Sequence, residues 1–318
     1  MDDWRPGGTR AALQARGELL ATLRGFFAKR QVLEVDTPIV ARYGVTDPAI
    51  EPLRVTSCLP GAGALFLQSS PEFAMKRLLA AGSGAIYQLG KVFRDGEVGS
   101  RHNPEFTLLE WYRPGFSLEQ LIEEVAELVC ECLHRDGWNA ISYQALFQEQ
   151  LGIDPWDTSV ADLKAVAAAR LDVGHLELDY DGWLDLLMSH LVEPALAHRG
   201  LQIVYDYPTS QAALARCTLR DGRSVAERFE LYVDGIELAN GYRELLDATQ
   251  LIARAERDNA RRHTTGQEQR DLDPRLLAAM QAGLPDCSGV ALGVDRLLMA
   301  QLKADRMSAV LAFDWPKS

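Results

Sequence analysis

Apolar residues recur at helical spacing over residues 9–30, where Leu13, Leu19, Leu20, Leu23, Phe26 and Phe27 mark one face of a predicted helix. Residues 32–39 read as extended, and Pro38 confines that stretch to a sheet edge or end. Ser69-Ser70-Pro71-Glu72 has the form of a helix start: a serine cap, proline in the first turn, then a glutamate. Residues 86–94 and 105–112 read as two strands joined by a polar loop. The clearest helix spans residues 117–135. Ser117 and Gln120 give it a capping-box pattern, and Leu118, Leu121, Ile122, Val125, Leu128, Val129 and Cys132 form its buried stripe.

Further helices are predicted at 157–170, 182–197 and 247–263, the last capped by Asp247. Residues 201–207 read as a strand stopped by Pro208. Residues 229–241 read as a hairpin, and residues 288–294 as a Gly-rich strand entering a helix at 295–303. Strands and helices mix without regular alternation, which predicts an α+β fold built on a mainly antiparallel sheet flanked by helices. No linker or repeat divides the chain. The expectation is a flexible arm at residues 1–9 and a single domain at 10–318.

Composition narrows the function classes. No apolar run reaches the roughly 20 residues of a membrane span, and no secretory signal opens the chain, so a cytoplasmic protein without membrane contact is expected. The five cysteines at 58, 130, 132, 217 and 287 lack zinc-ligand spacing and read as reduced thiols. The net charge of -12 argues against a tRNA or DNA partner.

The hairpin is the most informative stretch. Asp234-Gly235 is a two-residue turn signal. It pairs Val233 with Ile236, Tyr232 with Glu237 and Glu230 with Ala239. Glu230 and Glu237 then share a face as diagonal neighbours, about 7–8 Å apart at Cα, near enough to converge on one hard cation. Leu231, Val233, Ile236 and Leu238 take the other face. A solvated strand face that happens to carry acids is the competing reading. Asn240, Tyr242 and Glu244 extend the polar strip, and a buried Glu244 would call for a cationic partner such as a ligand ammonium.

The loop after residue 93 crowds Arg94, Arg101 and His102, and Phe106 begins the returning strand. Arginine forks match phosphate oxygens, and an aromatic beside them can stack on a purine. An ordinary surface loop remains the alternative. Gly289 and Gly293 lie in a strand, where glycine suits the close approach of a ligand or a backbone. Arg296 sits at a helix start, a place better explained if it serves an anion. Gly84 to Lys91 is not a P-loop: the spacing is wrong and the stretch alternates as a strand.

In this order the segments resemble the three signature motifs of class II aminoacyl-tRNA synthetases. Residues 24–39 look like motif 1, residues 93–106 like motif 2 and residues 289–296 like motif 3. Ser70-Pro71-Glu72, the run from Arg101 to Thr107 and the run from Glu237 to Gly241 resemble the lysyl branch. The resemblance implies a homodimer formed through motif 1, and activation of a small cationic amino acid by ATP with Mg2+. It implies that Arg94 and Arg296 act as catalytic phosphate contacts, that Asp95, Gly96, Arg101, His102 and Asn103 lie along the nucleotide, and that Phe106 stacks on adenine. Glu230 and Glu237 would hold magnesium, with Glu237, Leu238 and Gly293 lining the ATP site. Ser70, Pro71 and Glu72 would border the amino acid, Glu72 taking one amine, while Tyr112, Asn240 and Glu244 receive the other end.

Three departures stand out. The motif 1 helix starts near residue 10, leaving no room for the anticodon-binding barrel of lysyl enzymes. Motif 2 reads Arg94-Asp95-Gly96-Glu97, its glutamate one place late. Ala291 stands where lysyl enzymes usually have glycine. A motif-complete core of this kind is most similar to the lysyl-synthetase paralogues that ligate (R)-β-lysine to a lysine of elongation factor P. A tRNA-charging enzyme without the barrel and an inactive regulatory subunit are the rival expectations.

Overall fold

The computed structural model describes residues 4–58, 60, 61 and 63–318. The chain forms two compact units: Met1–Ser117 together with Leu245–Ser318, and the intervening Leu118–Glu244.

The first unit opens with α1 (Arg10–Lys29), capped by Thr9, whose hydroxyl accepts the Ala12 N–H at 3.1 Å. It buries Ala12, Leu19, Leu23, Phe26 and Phe27. Two residues of the expected face fall off it: Leu13 is 39% exposed and Leu20 only half-buried. Each follows a buried residue directly, and one step along a helix turns the side chain by about 100°. Phe27 stacks on Tyr87 at 4.4 Å and meets Trp111 edge-on at 5.2 Å, which fixes α1 to the strands behind it.

There follow β1 (Leu33–Glu34), β2 (Val40–Ala41), β3 (Arg54–Val55), β4 (Leu65–Leu67), α2 (Glu72–Ala80), β5 (Ile86–Phe93) and β6 (Glu105–Pro114). The extended stretch predicted at 32–39 pairs only over Leu33–Glu34. Beyond it the Thr37 N–H turns to Gln88 Oε1 at 3.0 Å, and Pro38 has no N–H to give. Short strands β2, β4 and β3 make a small sheet of their own. The arm predicted at residues 1–9 falls partly outside the described residues, at 1–3. Within it, the Gly7 N–H donates to the Ala312 carbonyl at 2.8 Å, and Gly8 is buried.

The second unit contains α3 (Leu118–Leu133), β7 (Asn139–Ser142), α4 (Tyr143–Leu151), α5 (Val160–Ala168) and α6 (Tyr180–Leu187), which runs on through a π turn (Met188–Val192). It ends with β8 (Leu201–Pro208), β9 (Cys217–Arg220), β10 (Arg223–Val233) and β11 (Ile236–Arg243). All seven residues of the predicted stripe on α3 are buried. Strand β10 pairs antiparallel with β11, β8 and β9, and β7 runs parallel to β8. Tyr143, Phe147, Trp183, Leu184 and Tyr232 anchor this unit's core.

The chain then returns to the first unit with α7 (Ala248–Thr264), α8 (Pro274–Gly283), β12 (Cys287–Gly293) and α9 (Val294–Leu302). Strand β12 pairs antiparallel with β6, and β6 with β5. Met75 and Leu79 of α2 pack with Ile86, Tyr112, Leu284 and Cys287. The architecture is α+β with a sheet rich in antiparallel pairs, as the pattern predicts. Among the described residues no helix is long and apolar enough to cross a membrane.

Candidate active site

Strand β6 organises the candidate residues of the first unit. Alternation puts Phe106, Leu108, Glu110 and Tyr112 on one face. On β12, Gly293 pairs with Leu108, Ala291 with Glu110 and Gly289 with Tyr112, so the three smallest residues of β12 share that face. Small residues there leave room above the strand.

One cluster on this face is built around Glu110, which sequence reasoning missed. The Ser70 hydroxyl donates to Glu110 Oε2 and the Tyr112 hydroxyl to Oε1, each at 2.7 Å. Ser70 also accepts the Glu72 N–H at 3.0 Å, which places Glu72 at the start of α2. The helix begins one residue later than its motif suggests, with Pro71 as the residue preceding it. One turn on, Lys76 Nζ lies 2.7 Å from Glu72 Oε1, and Lys76 is itself buried. Burial, and then the Glu72 charge, push the Glu110 carboxyl up to about 7, against the pull of Ser70, Tyr112 and Lys76. The available signal was a lone acid in the apolar run Leu108-Leu109-Glu110-Trp111-Tyr112, since a charge inside such a strand requires partners.

A second cluster is carried by the loop from Arg94 to Pro104. Its neck closes with the Arg94 N–H on the Pro104 carbonyl at 2.9 Å, and its tip with the Gly99 N–H on the His102 carbonyl at 3.1 Å. Gly96 has φ +77, so the turn after Asp95 needs glycine. The Arg94 guanidinium lies 5.0 Å from the centre of the half-buried Phe106 ring, and Glu97 is 3.6 Å from its Nη1. The late glutamate of motif 2 thus still reaches the arginine. Arg296, in the first turn of α9, places Nη2 2.7 Å from His102 Nε2. Burial first, and then the Arg296 charge, hold His102 below its ordinary range, with Arg94 and Arg101 adding to the effect. Three guanidiniums therefore gather around one neutral imidazole that accepts from Arg296. Asn103 is buried, and its side chain bonds to protein at both ends.

The second unit holds the acidic hairpin. Asp234 and Gly235 both have positive φ, +50 and +78, as a two-residue turn of this kind requires. A Cβ on Gly235 would lie 2.9 Å from the Glu193 carbonyl oxygen. The register matches expectation at Val233–Ile236 and Tyr232–Glu237, then shifts, so Glu230 faces Asn240 and not Ala239. The extra residue on β11 keeps Glu230, Tyr232, Glu237 and Asn240 on one face. Glu244, which closes the polar strip, is fully buried.

Paired carboxylates suit magnesium in ligand type. As arranged, however, both oxygens of Glu230 are taken. Oε2 accepts from Tyr207 at 2.8 Å and from Tyr232, and Oε1 from Arg228 and, at 3.5 Å, from Asn240. Burial is the strongest single influence and works against the Arg228 charge, but Glu230, Tyr207 and Glu237 together hold Arg228 above its ordinary range. Arg228 is thus the counter-cation of this pair, and the donor set does not fit a magnesium ion shared by both carboxylates.

Known proteins resemble this chain over nearly its whole length. The family model of class II tRNA synthetases (D, K and N) matches residues 2–317. An elongation factor P–(R)-beta-lysine ligase from Mannheimia succiniciproducens is 46% identical over 313 residues, covering 98% of this chain and 97% of that protein. Proteins of the same description from Pasteurella multocida and Yersinia pestis are each 47% identical over 316 residues, with the same coverage.

Proposed function

Because this chain belongs to the class II tRNA synthetases of the D, K and N type, and within them to the elongation factor P–(R)-beta-lysine ligases, we propose that it uses ATP to activate (R)-β-lysine and transfers it to a lysine side chain of elongation factor P. One observation carries the reading. The same face of β6 presents Phe106, beside the guanidinium cluster, and Glu110, inside the carboxylate pocket. Four residues of strand separate them by about 13 Å, a span that suits an aminoacyl-adenylate lying along the strand.

The substrate carboxylate is anionic at neutral pH. It attacks the α-phosphorus of ATP, a new C–O–P linkage forms, and pyrophosphate leaves. Arg94 and Arg296 neutralise charge on the phosphates, with neutral His102 holding the Arg296 fork in place. Phe106 stacks on adenine, and Asp95, Gly96, Arg101 and Gly293 line the nucleotide. Glu72 and Glu110 receive amines of the substrate, beside the Tyr112 hydroxyl that donates to Glu110. The acceptor lysine, as a free amine, then attacks the acyl carbon, the amide bond forms, AMP leaves and one proton passes to solvent. Magnesium accompanies ATP in chemistry of this kind, while Glu230 is already committed to Arg228, Tyr207, Tyr232 and Asn240.

Assembly as a homodimer is supported by apolar residues exposed on and after α1: Leu13, Leu33, Ile39 and Val40. A cytoplasmic location is supported by five free cysteines. The net charge of -12 weighs against tRNA as the acceptor. Isotope exchange between pyrophosphate and ATP tests activation: exchange driven by (R)-β-lysine is the expected result, and none with any lysine isomer would overturn the proposal.

A further inference from the structure

The segment following α9 has no part in the chemistry above, yet it is built into the loop from Arg94 to Pro104. The Met307 N–H donates to the Ser100 carbonyl at 2.7 Å, and the Trp315 N–H donates to Asn103 Oδ1 at 2.8 Å. Asn103 Nδ2 in turn donates to the Glu105 carbonyl at 2.7 Å. The two contact points bracket Arg101 and His102.

The segment is itself held from behind. Met307, Val310 and Leu311 are buried. The Arg16 guanidinium of α1 donates to the Val310 carbonyl at 3.3 Å, and the Gly7 N–H to the Ala312 carbonyl at 2.8 Å. A Cβ on Gly8 would lie 2.5 Å from the Leu311 carbonyl oxygen, so only glycine lets the chain pass. Arg16 also pairs with Asp295, whose Oδ2 accepts the Thr107 N–H at 2.6 Å. Asp295 directly precedes Arg296, and Thr107 directly follows Phe106. One arginine of α1 thus anchors both the C-terminal segment and the turn that presents Arg296.

We propose that residues 307–315 are a brace for the nucleotide loop: by clamping Ser100 and Asn103 they fix Arg101 and His102, and so set affinity for ATP without touching it. Trp315 is then a positioning residue acting through its backbone N–H, and Asn103 serves the nucleotide by shaping the loop. The inference rests on the reading that this loop binds ATP.

Trp315 permits a clean test. Asp314 has φ -88 and ψ 170, and Trp315 is the first residue of a 3-10 turn, a position proline tolerates. Trp315→Pro removes the N–H, whereas Trp315→Ala keeps it and removes the half-exposed indole. With wild type as reference, Trp315→Pro is expected to raise KM for ATP by about 5-fold, as the loss of one hydrogen bond implies. KM for the amino acid should stay unchanged, and trypsin should cut after Arg101 several-fold faster. Trp315→Ala should match wild type in all three. Equal trypsin rates and equal KM values in the two variants would overturn the brace. A wild-type protein with no ATP-dependent exchange would instead sink the functional reading, and the trypsin comparison would still decide the brace.

Discussion

Ala291 stands directly opposite Glu110 in the pairing of β12 with β6. Its methyl group is the only side-chain carbon among the three small residues on that face of β12, and it lies beside the carboxylate proposed to receive a substrate amine. Ala291→Gly should therefore change the ratio of kcat/KM between (R)-β-lysine and α-lysine by about 10-fold or more, the usual worth of one methyl group in a fitted pocket. Exchange kinetics with both isomers measure it. An unchanged ratio would mean that Ala291 does not touch the substrate.

Glu110 gives a pH signature. Its carboxyl is raised from 4.5 to about 7. The folded protein therefore holds a proton that the unfolded chain releases, and stability falls as pH rises through that window. Glu110→Gln cannot ionise, so its melting temperature should decline less than that of wild type between pH 5 and pH 7. An ammonium ligand favours the ionised form, so KM for the amino acid should drop with rising pH in wild type and stay flat in the variant. Parallel profiles in both measurements would contradict this role.

The pairing of Arg228 with Glu230 predicts a stability effect. Glu230→Gln leaves a largely buried guanidinium without its main counter-charge and should cost about 3 kcal/mol in urea denaturation. Adding Arg228→Met should recover much of the loss. If Glu230→Gln were as stable as wild type, the hairpin acid would be free to serve as a metal ligand, contrary to the arrangement described.

For the phosphate cluster the expectation is kinetic. Arg296→Ala should lower the exchange rate by about 100-fold, a typical effect of losing one charge-stabilising group, with little change in melting temperature. A loss confined to KM for the amino acid would place Arg296 elsewhere in the site.

Much of this was legible from local patterns. The α3 stripe, the Asp234-Gly235 turn and the two strands flanking the arginine loop depend on nearest neighbours along the chain, and each forms where its pattern says. Three features were harder to read, because residue type and spacing do not settle them. The bulge on β11, which turns Glu230 toward Asn240, leaves no mark in the residue types around it. Glu110 drew no notice because its meaning lies in Ser70 and Glu72, about 40 residues earlier in the chain. Leu13 looks like core by type and spacing, yet its neighbour Ala12 takes the inward position.

The most direct measurement is the intact mass of purified elongation factor P after incubation with this protein, ATP and (R)-β-lysine. The expected result is the gain of one lysyl residue on a lysine side chain, dependent on ATP and lost in Arg296→Ala. Unmodified elongation factor P, with lysine esterified to tRNA under the same conditions, would contradict it.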